Sequence, residues 1–171
     1  MNLTEAKELA SEKMWEQGLR GWSFQFSRAK RGLGLCNSYK KIIKLSMLYT
    51  QLNDREEVLD TILHEIAHAL VGAEKGHGYE WKSACRKIGA KAERLATSDT
   101  INMPQAKYVL TCPNCGKERS IYRKPKYVKI ENGIEIASHK ACGKCCREYN
   151  NGKFDAKYNL IIKPRDLSNK V

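Results

Sequence analysis

The stretch Leu63-His64-Glu65-Ile66-Ala67-His68-Ala69-Leu70 constrains this chain more than any other. It is apolar over most of its length, yet it carries two histidines four residues apart and a glutamate beside the first. On a helix, such histidines lie one above the other on one face. Two neutral imidazoles so placed can bind one Zn²⁺, and Glu65 can reach a water held on the metal and act as general base. The pattern fixes only three positions, so the bland alternative is an amphipathic helix with two satisfied histidines. The surroundings favour the metal. Val58, Leu59, Ile62, Leu63, Ile66 and Leu70 bury most of the helix circumference, which sets both imidazoles at the edge of an interior where they need partners. Asp54-x-x-Glu57 reads as a capping box, and Gly72 as the stop.

A catalytic zinc keeps three protein ligands and one open position. His77, flanked by Gly76 and Gly78, follows His68 after enough chain to leave the helix and turn back. The compact pattern with a third histidine six residues beyond the second is excluded, because Glu74 stands there. A carboxylate ligand from Glu74, Glu80 or Glu93 competes with His77, but a histidine in a glycine turn is the easier to bring to a metal. Tyr39 and Tyr79 are candidate donors to an oxyanion, on residue type alone. Tyr79 to Leu95 reads as a further helix with Trp81, Ala84, Cys85, Ile88 and Ala92 on one side.

Ahead of this lies a helix over residues 4–17, with Thr4 as its N-cap and Leu3, Ala6, Leu9, Ala10 and Met14 as its apolar stripe. Trp22 to Ser27 alternates apolar and polar residues, as a half-buried strand does. After the basic turn Arg28 to Gly34, Leu35–Tyr39 and Ile42–Ser46 read as two more strands, completing a small antiparallel sheet. Cys36 and Cys85 read as buried apolar residues. The expected organisation is a metal-bearing core over 1–96, a polar linker over 97–106 and a second unit over 107–171.

That second unit opens with Cys112-Pro113-Asn114-Cys115, and Cys142-Gly143-Lys144-Cys145 follows. Two such pairs point to one structural, tetrahedral zinc. Cys146 and His139 are close enough in sequence to replace one ligand. A hairpin fills the spacer, with Tyr127–Ile130, a turn at Glu131-Asn132-Gly133, and Ile134–Ile136. Tyr158–Ile162 adds a last strand. So small a unit with few apolar residues needs a staple. The fold class expected is α+β, a zincin-like core of helices and a small antiparallel sheet followed by a β-rich zinc ribbon. Seven cysteines, an odd number, suit reduced thiols in the cytosol better than a disulfide scaffold. Met1 to Leu19 has no apolar core of a secretory signal, and no apolar run approaches membrane-spanning length.

Charge bears on partners. The chain carries a formal +12, of which +8 falls on residues 97–171 and +4 on residues 1–96. Four thiolates on one zinc would subtract a net two charges and leave the second unit basic. Such an excess favours a polyanion, nucleic acid above all. Arg119, Tyr122, Arg123, Lys124, Lys126, Lys129 and Arg147 are the candidate contacts, with basic groups for phosphates and tyrosine for stacking on unpaired bases. The alternative is a solvated basic face with the aromatics in the ribbon core. No base-reading element is visible, so no sequence specificity is expected. A monomer is expected.

The chain resembles the SprT family. The resemblance runs through the N-terminal helix, Gly34-Leu35-Cys36 to Ser46, the His64-Glu65-x-x-His68 helix, Gly76-His77-Gly78-x-x-Trp81 and the terminal ribbon. It implies a zinc metalloprotease with His64, His68 and His77 as ligands and Glu65 as base. It also implies substrates bound or crosslinked to DNA. The family's larger animal members carry C-terminal partner-binding tails, and none is expected here. Their ribbon looks to include a histidine ligand, whereas Cys142-x-x-Cys145 is the simpler set in this chain. Two rival functions are a DNA-binding adaptor with a vestigial zinc site and a zinc peptidase without a DNA role.

Overall fold

Residue spacing explains how the first elements form. α1 (Leu3–Glu16) turns Ala6, Leu9, Ala10 and Met14 inward at three- and four-residue intervals. Its N-cap is Asn2 rather than Thr4: the Asn2 side chain accepts from the Glu5 N–H at 2.8 Å. Asparagine is among the strongest capping residues, and it claims the position first. The computed structural model describes residues 1–93 and 101–165. The chain divides into two units, Met1–Pro104 and Gln105–Val171.

β1 (Ser23–Ser27), β2 (Gly34–Asn37) and β3 (Ile42–Ser46) form a sheet in the order β1-β3-β2. β2 runs antiparallel to β3, but β1 runs parallel to it, with Ser23 opposite Ile42 and Ser27 opposite Ser46. The sheet is therefore mixed, not wholly antiparallel as the sequence suggests. The connection from Arg28 to Leu33 is too long for a tight hairpin, and β3 occupies the place between β1 and β2. β2 stops at Asn37, before Tyr39, because the Asn37 side chain accepts from the Lys40 N–H at 2.9 Å and bends the chain into a turn.

Ser46 caps the short α2 (Met47–Leu52). Asp54 caps the central α3 (Arg55–Val71), accepting from Glu57 N–H at 3.0 Å. Val58, Ile62, Leu63, Ile66 and Ala67 are buried along it, while Leu70, expected inside, is 41% exposed in an incompletely covered last turn. α4 (Tyr79–Ile88) packs on α3 and ends at Gly89, whose φ of 80° is left-handed. The expected continuation to Leu95 fails at this point, because helical spacing of Ala92 does not reveal a glycine C-cap. Residues 94–100, including the end of that expected helix and the first part of the expected linker, lie outside the described residues. Ile101 packs on the core, and the Asn102 backbone exchanges two hydrogen bonds with the Asn53 side chain at 2.7 and 2.8 Å. Tyr49, Ile43, Leu45, Ile62, Ile66 and Trp81 are wholly buried at the centre of this unit. Each such side chain contributes about 1.5–3 kcal/mol by burial.

The second unit is a five-stranded sheet in the order β5-β4-β8-β7-β6. Its strands are β4 (Tyr108–Thr111), β5 (Glu118–Ile121), β6 (Val128–Glu131), β7 (Ile134–Ala141) and β8 (Asn159–Pro164). The β6–β7 turn is tighter than the sequence suggests: Glu131 already pairs with Ile134, and Asn132 and Gly133 turn the chain with φ of 49° and 77°. β8 lies between β4 and β7 and joins the two halves. Leu110, Ile121, Ala137 and Ile162 form a small core. α5 (Gly143–Tyr149) begins within the second cysteine pair, where the sequence suggests only a knuckle loop. The fold is α+β, with a helical unit on a small sheet followed by a β-rich unit. Among the described residues no helix is long and apolar enough to cross a membrane.

Candidate metal centres

α3 is one residue short of five turns, and its histidines fall on the face that meets α4 and the turn before it. His77 arrives from Gly76-His77-Gly78, between α3 and α4. The three imidazoles converge: His77 Nε2 lies 3.2 Å from His64 Nε2 and 3.1 Å from His68 Nε2. Zinc–nitrogen bonds of about 2.0–2.1 Å at tetrahedral angles set ligand nitrogens about 3.4 Å apart. The donor set therefore fits zinc. Among the described residues, His64, His68 and His77 form one metal-competent group, and no carboxylate belongs to it. Of the three competing glutamates, Glu80 pairs with Lys75 at 3.2 Å, the Glu74 carboxylate folds over Gly72, and Glu93 lines the cleft.

Electrostatics prepare these groups. Burial, and then the neighbouring histidines, push His64 down to about 4. Burial and His77 do the same for His68, also to about 4. Both are then neutral at physiological pH, the form that offers a lone pair to a metal. The buried His68 Nδ1 has no hydrogen-bond partner among the described residues.

Beneath the triad lies Trp81, wholly buried on α4. Its ring centroid is 4.7, 5.4 and 4.6 Å from those of His64, His68 and His77, and its Nε1–H donates to His64 O at 3.4 Å. Sequence periodicity gives Trp81 as a core residue. It is also the floor that holds all three rings, which spacing does not reveal.

Glu65, itself buried, lines the same cleft as the three histidines. Burial drives its carboxyl up to about 7, against the pull of a hydrogen bond from the Cys36 backbone N–H. Gly34 makes this packing possible: a Cβ there would lie 2.5 Å from Glu65 Oε1. The cleft has a volume of about 700 Å³ and is lined by β2, α3 and the His77 turn. Cys36, read from the sequence as plain core, lines it beside Glu65, while burial pushes its thiol up to about 11 and keeps it protonated. Tyr39 and Tyr79 are 95% and 83% exposed, and nothing in the structure aims either at the triad.

In the second unit Cys112, Cys115, Cys142 and Cys145 come together, their sulfurs all within 4.8 Å of one another. Cys112–Cys145 and Cys115–Cys142 are each 3.7 Å. Zinc–sulfur bonds of about 2.3 Å predict tetrahedral edges of about 3.8 Å. Burial raises the Cys142 thiol, but the Cys145 N–H and the neighbouring Cys115 and Cys112 thiols, with a smaller share from the Lys144 N–H, outweigh it and hold it below its ordinary value. Asn114 Nδ2 donates to Cys145 Sγ at 3.4 Å. Cys146 is buried next to the set but outside it. His139 lies elsewhere, at a φ of 60° beside the β7 bulge, 5.8 Å from the Tyr127 ring and 6.5 Å from that of Phe154.

The candidate nucleic-acid contacts separate into two groups. Arg119, Arg123, Lys126 and Arg147 are exposed, and Tyr122 is half-buried. Lys124 instead pairs with Glu135, and Lys129 with Glu131, each at 2.6 Å.

An α+β unit with three histidines on a His-Glu-x-x-His helix and its following turn, joined to a four-cysteine β unit, defines a class of metal-centred protein. Residues 3–101 match the SprT-like family, and the chain belongs to it. Comparison with curated proteins returns no match. Among solved structures, the crystal structure of the metallopeptidase zymogen of Methanocaldococcus jannaschii jannalysin is similar over 48% of this chain and 79% of that one, at 18% identity and a TM-score of 0.43. Family and site geometry together support a zinc metallopeptidase-like function.

Proposed function

We propose that this protein is a zinc endopeptidase acting on proteins bound or crosslinked to DNA. The observation that carries the peptidase reading is the convergence of three imidazoles, those of His64 and His68 held neutral by burial, beside a buried carboxylate poised near neutrality. His64, His68 and His77 would hold the catalytic zinc, and Cys112, Cys115, Cys142 and Cys145 the structural one. When bound, the catalytic ion supplies Lewis acidity and lowers the pKa of a water. Glu65 is placed to take that water's proton and deliver it to the leaving amine, a role suited to a carboxyl near 7. Cys36 N–H and Gly34 fix where that carboxylate points. β2 lies at the sheet edge and lines the cleft, so an extended peptide can add alongside it as a strand.

The DNA reading rests on charge and on the ribbon surface. Arg119, Arg123, Lys126 and Arg147 offer charge for phosphates. Tyr127, His139 and Phe154 form an exposed aromatic group on which an unpaired base can stack. Holding DNA raises the local concentration of any protein attached to it. The zinc-loaded protein should cut a protein crosslinked to an oligonucleotide faster than the same protein free in solution. Equal rates on both would remove the DNA role, and no cleavage of either would remove the peptidase role.

A further inference from the structure

The basic excess of the second unit hides a second concentration of charge in the first. From Gly21 to Asn53 the chain carries Arg28, Lys30, Arg31, Lys40, Lys41 and Lys44 and no carboxylate side chain. The acidic residues of the first unit fall on α1, α3 and the segments after it. Topology gathers the six basic residues on one sheet. Arg28, Lys30 and Arg31 sit in the connection at the end of the sheet marked by Ser27 and Ser46. Lys40 and Lys41 sit in the turn at the other end, where Asn37 faces Ile42. Lys44 lies midway on β3. Its neighbours Ile43 and Leu45 are wholly buried, so strand alternation turns Lys44 to the opposite, outer face. The two ends are roughly 13 Å apart at the usual strand rise.

The chemistry along this face favours a polyanion that is also aromatic. Arg28, Lys40 and Lys41 are exposed, and none of them, nor Lys44, is in an ion pair among the described residues. Tyr39, 95% exposed, stands in the same turn as Lys40 and Lys41, and Leu35, 54% exposed, is paired with Lys44 across the strands. Cations spread along a line match successive phosphates, and exposed apolar side chains between them match unstacked bases. An anionic membrane would meet the charges but gives no use to a line of them along one sheet.

We infer that the outer face of the β1-β3-β2 sheet is a second nucleic-acid surface, one that binds the phosphate backbone of a single strand on the catalytic unit itself. Arg31 and Leu35 also line the cleft, so a strand on this face runs beside the entrance to the metal site. The inference rests on the DNA reading above and adds to it a place where DNA and substrate meet on one unit.

The test uses the full, zinc-loaded chain and an unstructured single-stranded oligonucleotide. R28Q/K40Q/K41Q/K44Q is compared with a ribbon variant, R119Q/R123Q/K126Q, each checked for unchanged zinc content. The sheet variant should bind about tenfold more weakly at low salt. Its plot of log affinity against log salt should also flatten by about 0.7 for each phosphate no longer neutralised. Y39A should weaken binding without changing that slope. A sheet variant that binds like the parent while the ribbon variant loses binding overturns the sheet surface and leaves the DNA reading intact. A parent that binds no DNA overturns both. Loss of binding to anionic phospholipid vesicles, with DNA affinity unchanged, would reassign the face to a membrane.

Discussion

At the scale of single residues, function depends on neighbours that residue type alone does not show. Glu65 is legible from its motif, but what aims it is not. Gly34 and the Cys36 N–H act through backbone and empty space, and neither leaves a pattern in a sequence. A Gly34→Ala substitution places a methyl 2.5 Å from Glu65 Oε1. We predict a stability cost of about 1–3 kcal/mol, and a drop in peptidase activity larger than the smaller folded fraction explains. Zinc content should stay unchanged. Full activity in that variant would show that Glu65 does not need its observed position. Trp81 poses the complementary case. Trp81→Ala removes a wholly buried ring, at a cost of about 3–5 kcal/mol, and should loosen zinc at the histidines while leaving the cysteine site loaded. A competition titration with a chromogenic chelator separates the two sites.

At the scale of elements, periodicity gave α1 and α3, because each carries a strong apolar stripe, and the Asn132-Gly133 turn gave the β6–β7 hairpin. Periodicity missed the parallel pairing of β1 with β3, which depends on a long connection rather than on any residue in the strands. It missed α5 because a cysteine knuckle and a helix start share the same short motif. It overran α4 because Gly89 ends the helix inside a stretch that still has helical spacing. α3 also sets a pH dependence. In the metal-free protein His64 and His68 titrate near 4 instead of 6.5. Between those values the unfolded chain takes up protons that the folded chain refuses, so stability falls as pH drops. Glu65 acts oppositely: raised from 4.5 to about 7, it binds a proton in the folded state across that window. Two histidines against one carboxyl leave a net loss on acidification. The urea midpoint of chelator-treated protein should therefore fall from pH 7 to pH 5, and more steeply in Glu65→Gln, where the offset is gone. A midpoint that rises on acidification would contradict the burial of the histidine pair. Removal of the α3 cap in Asp54→Ala should cost about 1 kcal/mol, read from the same denaturation curves.

At the scale of the whole molecule, the proposed function gives each unit its own metal site. The first unit has a substantial apolar core, and in that proposal its metal serves chemistry. The second has a four-residue aliphatic core, and in that proposal its metal supports folding. A Cys112→Ser variant should therefore lose ordered β structure in the second unit and weaken DNA binding, while the histidine site keeps its zinc. Amide exchange followed by mass spectrometry reads both effects, and uniform protection across the second unit would argue against this division. Everything proposed for the two units depends on the chain holding two zinc ions in two separate protein-built sites. Metal analysis of the purified protein tests that outright. Two zinc ions per chain are expected in the parent, one in His64→Ala and one in Cys112→Ser. One zinc in the parent, or two retained in His64→Ala, would contradict it.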